Sequence, residues 1–331
     1  MPTPFEIIRL SKDQSNTRPR AIALGTFDGV HLGHQALLNS VREAAKLKDL
    51  NTSCTTFAKP PIIWTDPDRE VQSLDTLEER LTLLARYGMQ EVIVINFPAI
   101  ASLSPEEYLN QILRDQLRCV YICTGFNHRF GQGQAGDINL LKSWGAQHQI
   151  EVQEIAPVLD RCGQRISSSQ IRQNLSEGDL ASANQLMGHR FLFSAEIVPG
   201  RKLGRQIGFP TINCLYPIAK LIPKLGVYAA YAQIGDASYP AAVNIGYAPT
   251  ASCDRIVRFE THLLGEVSED LLAQIGSHLT VELVEYIRPE MKFESLDALK
   301  NQIGLDCQRI AVKLEETPGG SSQVLFSSLD N

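Results

Sequence analysis

The sequence lacks three features that would each point to a class of protein. No apolar run approaches the roughly 18–20 residues that a membrane helix needs. The seven cysteines are scattered and include no Cys-x-x-Cys pair, so neither a disulfide framework nor a zinc site is expected. The first twenty residues contain no apolar core of the kind found in signal peptides. We therefore expect a cytoplasmic protein with reduced thiols and no membrane contact.

An excess of either charge is also missing. The chain carries 31 basic and 37 acidic side chains, a net charge of −6. Residues 1–187 hold 18 basic and 21 acidic side chains and residues 188–331 hold 13 and 16, so each part sums to −3. A protein whose main task is to bind nucleic acid would carry a basic domain or patch. Nucleic acid is therefore not an expected partner.

What is present is an ordinary globular composition on a chain long enough for two domains. Hydrophobic residues make up 44% of the 331 positions and charged residues 21%. Up to Met187, apolar strand patterns alternate with helix patterns, which predicts a Rossmann-like α/β domain with a parallel sheet. The predicted strands there are Ala21–Leu24, Thr52–Phe57, Glu91–Phe97, Val120–Cys123 and Ile150–Ile155. The predicted helices are Leu32–Leu50, Leu77–Tyr87, Asn139–His148, Ser169–Ser176 and Asp179–Met187, with a further helix start at Ser104.

The pattern changes near Gly188. Runs rich in β-branched and aromatic residues follow, separated by glycine and proline, and predict a small antiparallel β-barrel. The predicted strands are Phe191–Val198, Gly226–Ile234, Ala241–Ile245, Arg258–Leu264 and Leu279–Ile287. A helix over Ser295–Leu314, N-capped by Ser295, is predicted to close this domain, and residues 315–331 are predicted to form a flexible tail.

A glycine-rich segment, Gly25–His34 (GTFDGVHLGH), follows the first predicted strand and opens the first predicted helix. Unpaired backbone N–H groups and the helix dipole make such a turn an anion site. His31 and His34 can donate to phosphate oxygens and stabilise charge at phosphorus. Gly33 leaves room for a nucleotide against the backbone. The segment therefore predicts a site for nucleotide phosphates.

One later segment carries similar chemistry, because Ile166–Arg172 (ISSSQIR) places three hydroxyls at a helix start with Arg172 one turn on. Such hydroxyls cap free N–H groups and can bind a triphosphate. Gly125–Gly131 (GFNHRFG) comes before this segment, after a predicted strand. Gly131–Gly136 (GQGQAG) fits the dinucleotide pattern G-x-G-x-x-G, but it does not directly follow the strand of the first βα unit. We therefore predict a loop there rather than an NAD site.

In the second domain, Gly200–Asn213 (GRKLGRQIGFPTIN) is dense in glycine and cations. Glycines let backbone N–H groups approach phosphates, and the cations supply charge. Thr211 and Asn213 offer the hard oxygen ligands that Mg²⁺ prefers. This segment predicts a second phosphate site.

Taken in order, these segments resemble the signatures of the bacterial bifunctional riboflavin kinase/FAD synthetases. Phe259–Leu264 (FETHLL) and Ile287–Phe293 (IRPEMKF) follow in the same order as in that family. The resemblance covers about Ala21 to Leu314. It implies a nucleotidylyltransferase domain over residues 1–187, followed by a riboflavin kinase domain over 188–314 and the tail.

The resemblance also implies roles for individual residues. Glu260 is the expected base that deprotonates the ribityl 5′-hydroxyl of riboflavin for attack on ATP, with Thr211 and Asn213 holding Mg²⁺. His31 and His34 are expected to stabilise the transition state in which FMN attacks a second ATP, giving FAD and pyrophosphate. The residues expected at ATP or its phosphates are Gly25, Phe27, Asp28, Gly33, Asn127, Ser167, Ser168, Ser169, Arg172, Gly200, Arg201, Lys202, Gly204, Arg205 and Gly208. Those expected at the flavin are Asn244, Arg288 and Glu290. The expected partners are riboflavin, FMN and ATP, and the sequence sets no oligomeric state.

Two departures from the family pattern keep alternatives open. Thr56–Pro61 (TFAKPP) stands where the family usually has Thr-Phe-x-Pro-His-Pro, and Gln170 stands where it has arginine. One alternative is therefore a riboflavin kinase with weakened or lost adenylyl transfer. A second is a flavin-binding protein without turnover. A third, an aminoacyl-tRNA synthetase relative, shares the His-x-Gly-His pattern but requires a basic tRNA-binding region that the charge distribution does not provide.

Overall fold

The computed structural model describes residues 5–10, 18–66, 68, 72–200, 203–247, 256–265, 268, 271 and 274–316. The chain divides into two compact units, residues 1–168 and 169–331.

The first unit is built on a parallel sheet. Its strands are β1 (Glu6–Arg9), β2 (Arg20–Leu24), β3 (Asn51–Phe57), β4 (Glu91–Ile95), β5 (Cys119–Gly125) and β6 (Glu151–Ile155). They lie in the order β1-β4-β3-β2-β5-β6, and every pair is parallel. Strands β2 and β4 are buried along their whole length, as expected for a parallel sheet covered on both faces. The predicted α/β fold is confirmed, and β1 is an additional short edge strand.

Helices cover this sheet. They are α1 (Leu32–Lys48), α2 (Ile62–Thr65), α3 (Leu77–Arg86), α4 (Phe97–Ile100), α5 (Pro105–Glu107), a π-helical segment (Tyr108–Gln116), a short 3-10 turn (Gln132–Gln134) and α6 (Ile138–Gln147). Thr76 and Ser104 each form a capping box with the glutamate three residues on, which fixes where α3 and α5 begin. Trp144 on α6 packs in the apolar core beside the sheet, whereas Trp64 on α2 is 50% exposed.

The strand order places the first unit's ligand crevice. The chain runs β2-β3-β4 to one side and then returns to β5 on the other side of β2. In open parallel sheets, ligands bind beyond the carboxyl ends of the strands at such a reversal. Leu24 and Thr124 are paired at the ends of β2 and β5. The Gly25 and Gly125 segments therefore begin side by side.

The second unit is an antiparallel sheet that curls on itself. Its strands are β7 (Phe191–Glu196), β8 (Ile212–Leu215), β9 (Gly226–Ile234), β10 (Ala237–Tyr247), β11 (Val257–Leu263) and β12 (His278–Arg288). The order is β7-β12-β9-β10-β11-β8. A bridge between Ile197 and Cys214 joins the ends of β7 and β8, so the two edges of the sheet meet. This confirms the predicted small antiparallel barrel.

Helices close the second unit. They are α7 (Ser168–Glu177), α8 (Leu180–Met187), α9 (Leu203–Gln206) and α10 (Leu296–Glu316). Ile310 and Leu314 of α10 pack on Ala229 and Tyr231 of β9. Ser295 Oγ accepts the Ala298 N–H at 3.1 Å, which confirms the predicted N-cap. The helix continues through Glu316, so the first two residues of the predicted tail are helical, and residues 317–331 lie outside the described part.

Helix α8 is tied to the barrel by hydrogen bonds. The Asn184 amide donates to Leu283 O at 3.0 Å and accepts the Phe191 N–H at 2.7 Å. On α7, Leu175 O accepts the Lys224 N–H at 2.9 Å. These contacts group α7 and α8 with the second unit, and the boundary at Gly188 stays a prediction.

Candidate active sites

The Gly25–His34 turn of the first unit is folded tightly behind β2. Phe27 has φ 54°, Gly29 φ 81° and Val30 φ 31°. Two side-chain-bearing residues thus lie in the left-handed region, which costs on the order of 1–2 kcal/mol each. Phe27 and Val30 are both fully buried. Such strain persists only where surrounding contacts determine the backbone.

The two histidines meet at the start of α1. His31 is the N-cap, and its Nδ1 accepts the His34 N–H at 3.3 Å. The two rings are stacked with their centroids 3.7 Å apart, and the Phe27 ring lies 5.1 Å from that of His34. The turn therefore presents both imidazoles together at a helix N-terminus, where anions are stabilised.

His34 is held in its neutral form. Burial, followed by the charges of His31 and Arg80, keeps the pKa of His34 well below 6.5. A neutral imidazole has one N–H donor and one acceptor nitrogen. Its buried Nδ1 has no hydrogen-bond partner among the described residues. His34 can therefore still donate or accept a hydrogen bond.

The Ile166–Arg172 segment reaches this turn. A Cβ on Gly33 would lie 3.1 Å from the His31 ring and 4.0 Å from Ile166 O, so a side chain at this position would crowd the His31 ring. Ser168 Oγ donates to Asp28 O at 2.9 Å. Two of the predicted phosphate segments are thus joined. Ser169 and Arg172 lie on α7 in the second unit, Ser167 precedes it, and their roles at phosphate stay predictions.

The Gly125–Gly131 loop begins beside that turn. Asn127 is exposed, with its Oδ1 3.4 Å from where a Gly125 Cβ would stand. The His128 ring stacks on Phe130 at 5.8 Å, its buried Nε2 has no partner within the described part, and burial lowers its pKa to about 4. Gly131 has φ 73° and packs on the backbone of Pro105. The glycines after it form the loop that we predicted.

Asp75 and Arg80, which the sequence did not single out, help to hold the turn from behind. Asp28 Oδ1 accepts the Leu74 N–H at 2.8 Å, and Asp75 Oδ2 accepts the Gly29 N–H at 2.6 Å. Arg80 forms an ion pair with Asp28 at 3.4 Å. The sequence pattern did indicate that Arg80 is buried, because it falls on the apolar stripe of its helix with Leu77, Leu81 and Leu84.

In the second unit, four site residues fall in one row across the barrel. Asn213 on β8 is directly opposite Glu260 on β11, and Glu260 is opposite Asn244 on β10. The row continues through Val227 to Arg288 on β12. Directly opposed residues share a face, with Cβ atoms about 4.5–5.5 Å apart. The barrel therefore brings Glu260 and Asn213 together, although they are far apart in sequence.

The glycine-rich loop packs against one end of that row. A Cβ on Gly200 would overlap the Asn213 amide, and one on Gly204 would overlap Phe209 O. His262 Nδ1 lies 2.8 Å from Pro210 O, so that histidine contacts the loop rather than the row. Gly208 has φ 90° and Arg205 is exposed on α9. Arg201 and Lys202 lie outside the described residues.

The residues predicted to contact the flavin are held at the other end of the row. Arg288 donates from Nε and Nη2 to the Asp306 carboxylate of α10 at 2.7–3.0 Å. The Asn244 amide donates to Glu290 Oε1 at 3.4 Å. Gly246 leaves room for Glu290, because a Cβ there would overlap its carboxylate. Asp306 is a further residue that the sequence analysis missed, since it lies on a predicted packing helix with no motif.

Each of the two units matches a known protein family. A family model described as FAD synthetase matches residues 13–170, and one described as riboflavin kinase matches residues 187–314. A bifunctional riboflavin kinase/FMN adenylyltransferase of Escherichia coli (strain K12) is 36% identical over 288 residues, 86% of this chain and 90% of that protein. The chain belongs to the bifunctional riboflavin kinase/FMN adenylyltransferase family. A relative of the same name from Listeria monocytogenes is 31% identical and covers 90% of this chain and 94% of its own.

A solved structure shares the whole fold of this family member. It is titled as a macrolide-efflux protein from Streptococcus pneumoniae, has a TM-score of 0.81 and 28% identity, and covers 92% of this chain and 98% of its own. No helix within the described ranges is long and apolar enough to cross a membrane. Since both halves match enzyme families, the two-activity hypothesis is favoured over the alternatives raised from the sequence.

Proposed function

We propose that this protein converts riboflavin to FMN in its second unit and FMN to FAD in its first unit, using one ATP for each step. The observation that carries the kinase assignment is the row that sets Glu260 between Asn213 and Asn244. The adenylyl-transfer assignment is supported by the stacked His31 and His34 at the N-terminus of α1.

In the kinase step, the Glu260 carboxylate takes the proton of the ribityl 5′-hydroxyl as that oxygen attacks the γ-phosphorus of ATP. The bond between the γ-phosphorus and its bridging oxygen breaks, and ADP leaves. A carboxylate can do this when it lies within hydrogen-bond reach of the hydroxyl. Most of the remaining work is positioning and neutralisation of charge. The Gly200–Gly208 loop is suited to both, because its glycines let backbone approach the phosphates.

The residues at the head of the row fit Mg²⁺. No group of three or more His, Cys, Asp or Glu side chains within the described ranges is placed to hold a metal ion. Mg²⁺, however, takes one or two protein oxygens together with phosphate and water. The Asn213 amide donates to Thr211 Oγ1 at 3.2 Å, so a hydroxyl and an amide group lie together, and Asn213 is directly opposite Glu260. Thr211 and Asn213 would hold the ion, which neutralises phosphate charge when bound.

In the adenylyl-transfer step, a phosphate oxygen of FMN attacks the α-phosphorus of ATP. The bond to the β-phosphate breaks, and pyrophosphate leaves with its electron pair. FMN supplies the nucleophile, so the enzyme needs no covalent intermediate. His31 and His34 stabilise the charge that develops at the α-phosphorus, and the N–H groups at the start of α1 assist. Asn127 in its loop and Ser168 at the start of α7 are proposed to contact the phosphates in the same crevice.

The same proposal sets partners and location. The substrates are small molecules: riboflavin, FMN and ATP. The cytoplasm suits an enzyme whose six described cysteines are all free thiols. Burial raises the pKa of the Cys123 thiol to about 11, which keeps it protonated and unreactive.

The proposal is tested by supplying riboflavin, ATP and MgCl₂ to the purified protein and following FMN, FAD and pyrophosphate. We expect FMN first, followed by FAD and pyrophosphate in equal amounts. Glu260→Gln should slow FMN formation by about 10²–10⁴-fold and leave FAD formation from added FMN unchanged. Glu196→Gln is the matched control, since Glu196 is an exposed carboxylate on β7. Wild-type protein that forms no FMN, or a Glu260→Gln variant with the wild-type rate, would contradict the assignment.

A further inference from the structure

One cation of the first unit is buried where neither the motifs nor the proposed chemistry uses it. Arg80 is in the first turn of α3, and its side chain is only 4% exposed. Burying a guanidinium is costly unless its donors are bonded. The acceptors that surround it are therefore informative.

Those acceptors all belong to the walls of the Gly25–His34 turn. Nη2 donates to Asp28 Oδ1 at 3.4 Å and to Asp75 O at 3.3 Å. Nη1 donates to Thr56 Oγ1 at 3.3 Å and to Phe57 O at 3.1 Å. The planar guanidinium thus bridges the turn, the end of β3 and the segment before α3.

A second set of bonds runs from these acceptors into the turn itself. Thr56 Oγ1 donates to Thr26 O at 2.8 Å. Asp75, whose carbonyl Arg80 binds, accepts the Gly29 N–H at 2.6 Å. Arg80 therefore contacts the turn directly at Asp28 and reaches it through one intermediary at Thr26 and at Gly29.

The turn needs such support. Phe27 and Val30 occupy left-handed backbone conformations, which only a well-determined surrounding maintains. The same turn sets the directions of His31 and His34 at the start of α1. Positioning of catalytic groups is worth large rate factors, and a displacement of about 1 Å can cost about 10²-fold.

We propose that Arg80 is a positioning residue for adenylyl transfer, which holds the strained Gly25–His34 turn so that His31 and His34 face the α-phosphate. This inference rests on the proposed FAD-forming activity of the first unit. The electrostatic environment agrees with it, since the Arg80 charge helps to keep the pKa of His34 low. Because the side chain is buried, Arg80 acts through the turn and not by touching substrate.

A lysine at position 80 cannot make all the hydrogen bonds that Arg80 makes. The Arg80 contacts come from two terminal nitrogens in one plane and reach four acceptors, whereas an ammonium is a single point charge with three donors. Arg80→Lys keeps the charge next to Asp28 and loses part of the bridge. Arg80→Met loses both and keeps much of the volume.

The experiment measures kcat and KM for FAD formation from FMN and ATP in these two variants. We expect kcat to fall about 10²-fold in Arg80→Met and less in Arg80→Lys, with both KM values within about threefold of wild type. Riboflavin kinase activity of the same molecules should be unchanged, and the emission of Trp144, which is packed in the core of the first unit, should match wild type and so show that this unit is folded. Arg86→Met is the matched control, because Arg86 is exposed on the last turn of the same helix.

Three outcomes would overturn the inference. The first is a wild-type kcat in both Arg80 variants, and the second is a loss confined to KM. The third is an Arg80→Met variant whose Trp144 emission shows an unfolded first unit, beside an Arg80→Lys variant with wild-type kcat, which would make Arg80 a stability residue only. Wild-type protein that forms no FAD would instead overturn the proposed function, and this inference with it.

Discussion

Single residues of the first unit carry a pH dependence that follows from burial. Burial lowers the pKa of His128 to about 4, against 6.5 for the exposed side chain. Between those two values the unfolded chain binds more protons than the folded one. The free energy of unfolding must therefore fall as pH falls through this window, and His128 has no such effect above about pH 6.5.

His128→Phe tests that sign. The ring contact with Phe130 is kept, while the titration is removed. From pH 7.5 to 5.0 the wild type should lose more unfolding free energy than the variant, by at most about 1.4 kcal/mol for each pH unit below 6.5. Urea titrations followed by circular dichroism at several pH values measure this difference. Equal losses in the two proteins would show that His128 is not held neutral by the fold.

Sequence patterns could identify some of the site residues and not others. His31, His34 and Gly33 could be chosen because they lie in a contiguous segment with its own chemistry, and Glu260 because its segment resembles that of the family. The support of the turn by Arg80 and Asp75 could not be predicted, even though Arg80 falls on an apolar stripe, since their bonds to the turn span 52 and 46 residues of chain. Such contacts exist only once the sheet has formed.

At the scale of elements, α10 is bonded to Arg288 at one end of the row that contains Glu260. Asp306 is 5% exposed, and it binds Arg288 through two oxygens and the Gln302 amide at 2.9 Å. Removing one partner of a buried ion pair leaves the other charge uncompensated and costs about 3–5 kcal/mol. Asp306 is thus a stability contact placed beside the site.

Asp306→Asn should therefore destabilise the second unit by about 3 kcal/mol. It should also raise the KM for riboflavin, because Arg288 loses the partner that fixes its side chain. Urea unfolding and kinase kinetics measure the two effects, and FAD formation from FMN should be unchanged. Asp297→Asn in the exposed first turn of α10 is the control. If the two variants are equally stable, the ion pair does not hold the helix.

Sequence patterns predicted the bounds of some strands and helices better than those of others. Long apolar or capped segments such as β4 and α3 were predicted close to their observed bounds. The strands β1 and β8 have only four residues each, too few for a period to be seen. Helix α9 is equally short, and its glycine and cations pointed to phosphate chemistry rather than to a helix.

For the whole molecule, the residues proposed to act in the two reactions are different, with His31 and His34 assigned to adenylyl transfer and Glu260 to the kinase step. A mixture of two defective variants should therefore recover the full conversion. Glu260→Gln alone should give FAD only from added FMN, and His34→Asn alone should stop at FMN. Together they should carry riboflavin to FAD, because FMN made by one molecule can be used by another. If the mixture stops at FMN, the two steps must take place on one molecule.

Charge balance at the molecular scale says little about where cations act. Both parts of the chain sum to −3, yet Arg80 is buried behind one candidate site and Arg288 is held at the other. The two-unit architecture and its chemistry were open to prediction from the order of the motifs. The grouping of α7 and α8 with the barrel was not, since it depends on hydrogen bonds such as those of Asn184.

Both tryptophans of the chain, Trp64 and Trp144, lie in the first unit, one exposed on α2 and one packed in the core. The barrel contains none. Tryptophan fluorescence of this enzyme therefore comes from the first unit. Light from Trp64 and Trp144 reports the state of the adenylyl-transfer half directly, and the kinase half contributes no tryptophan signal of its own.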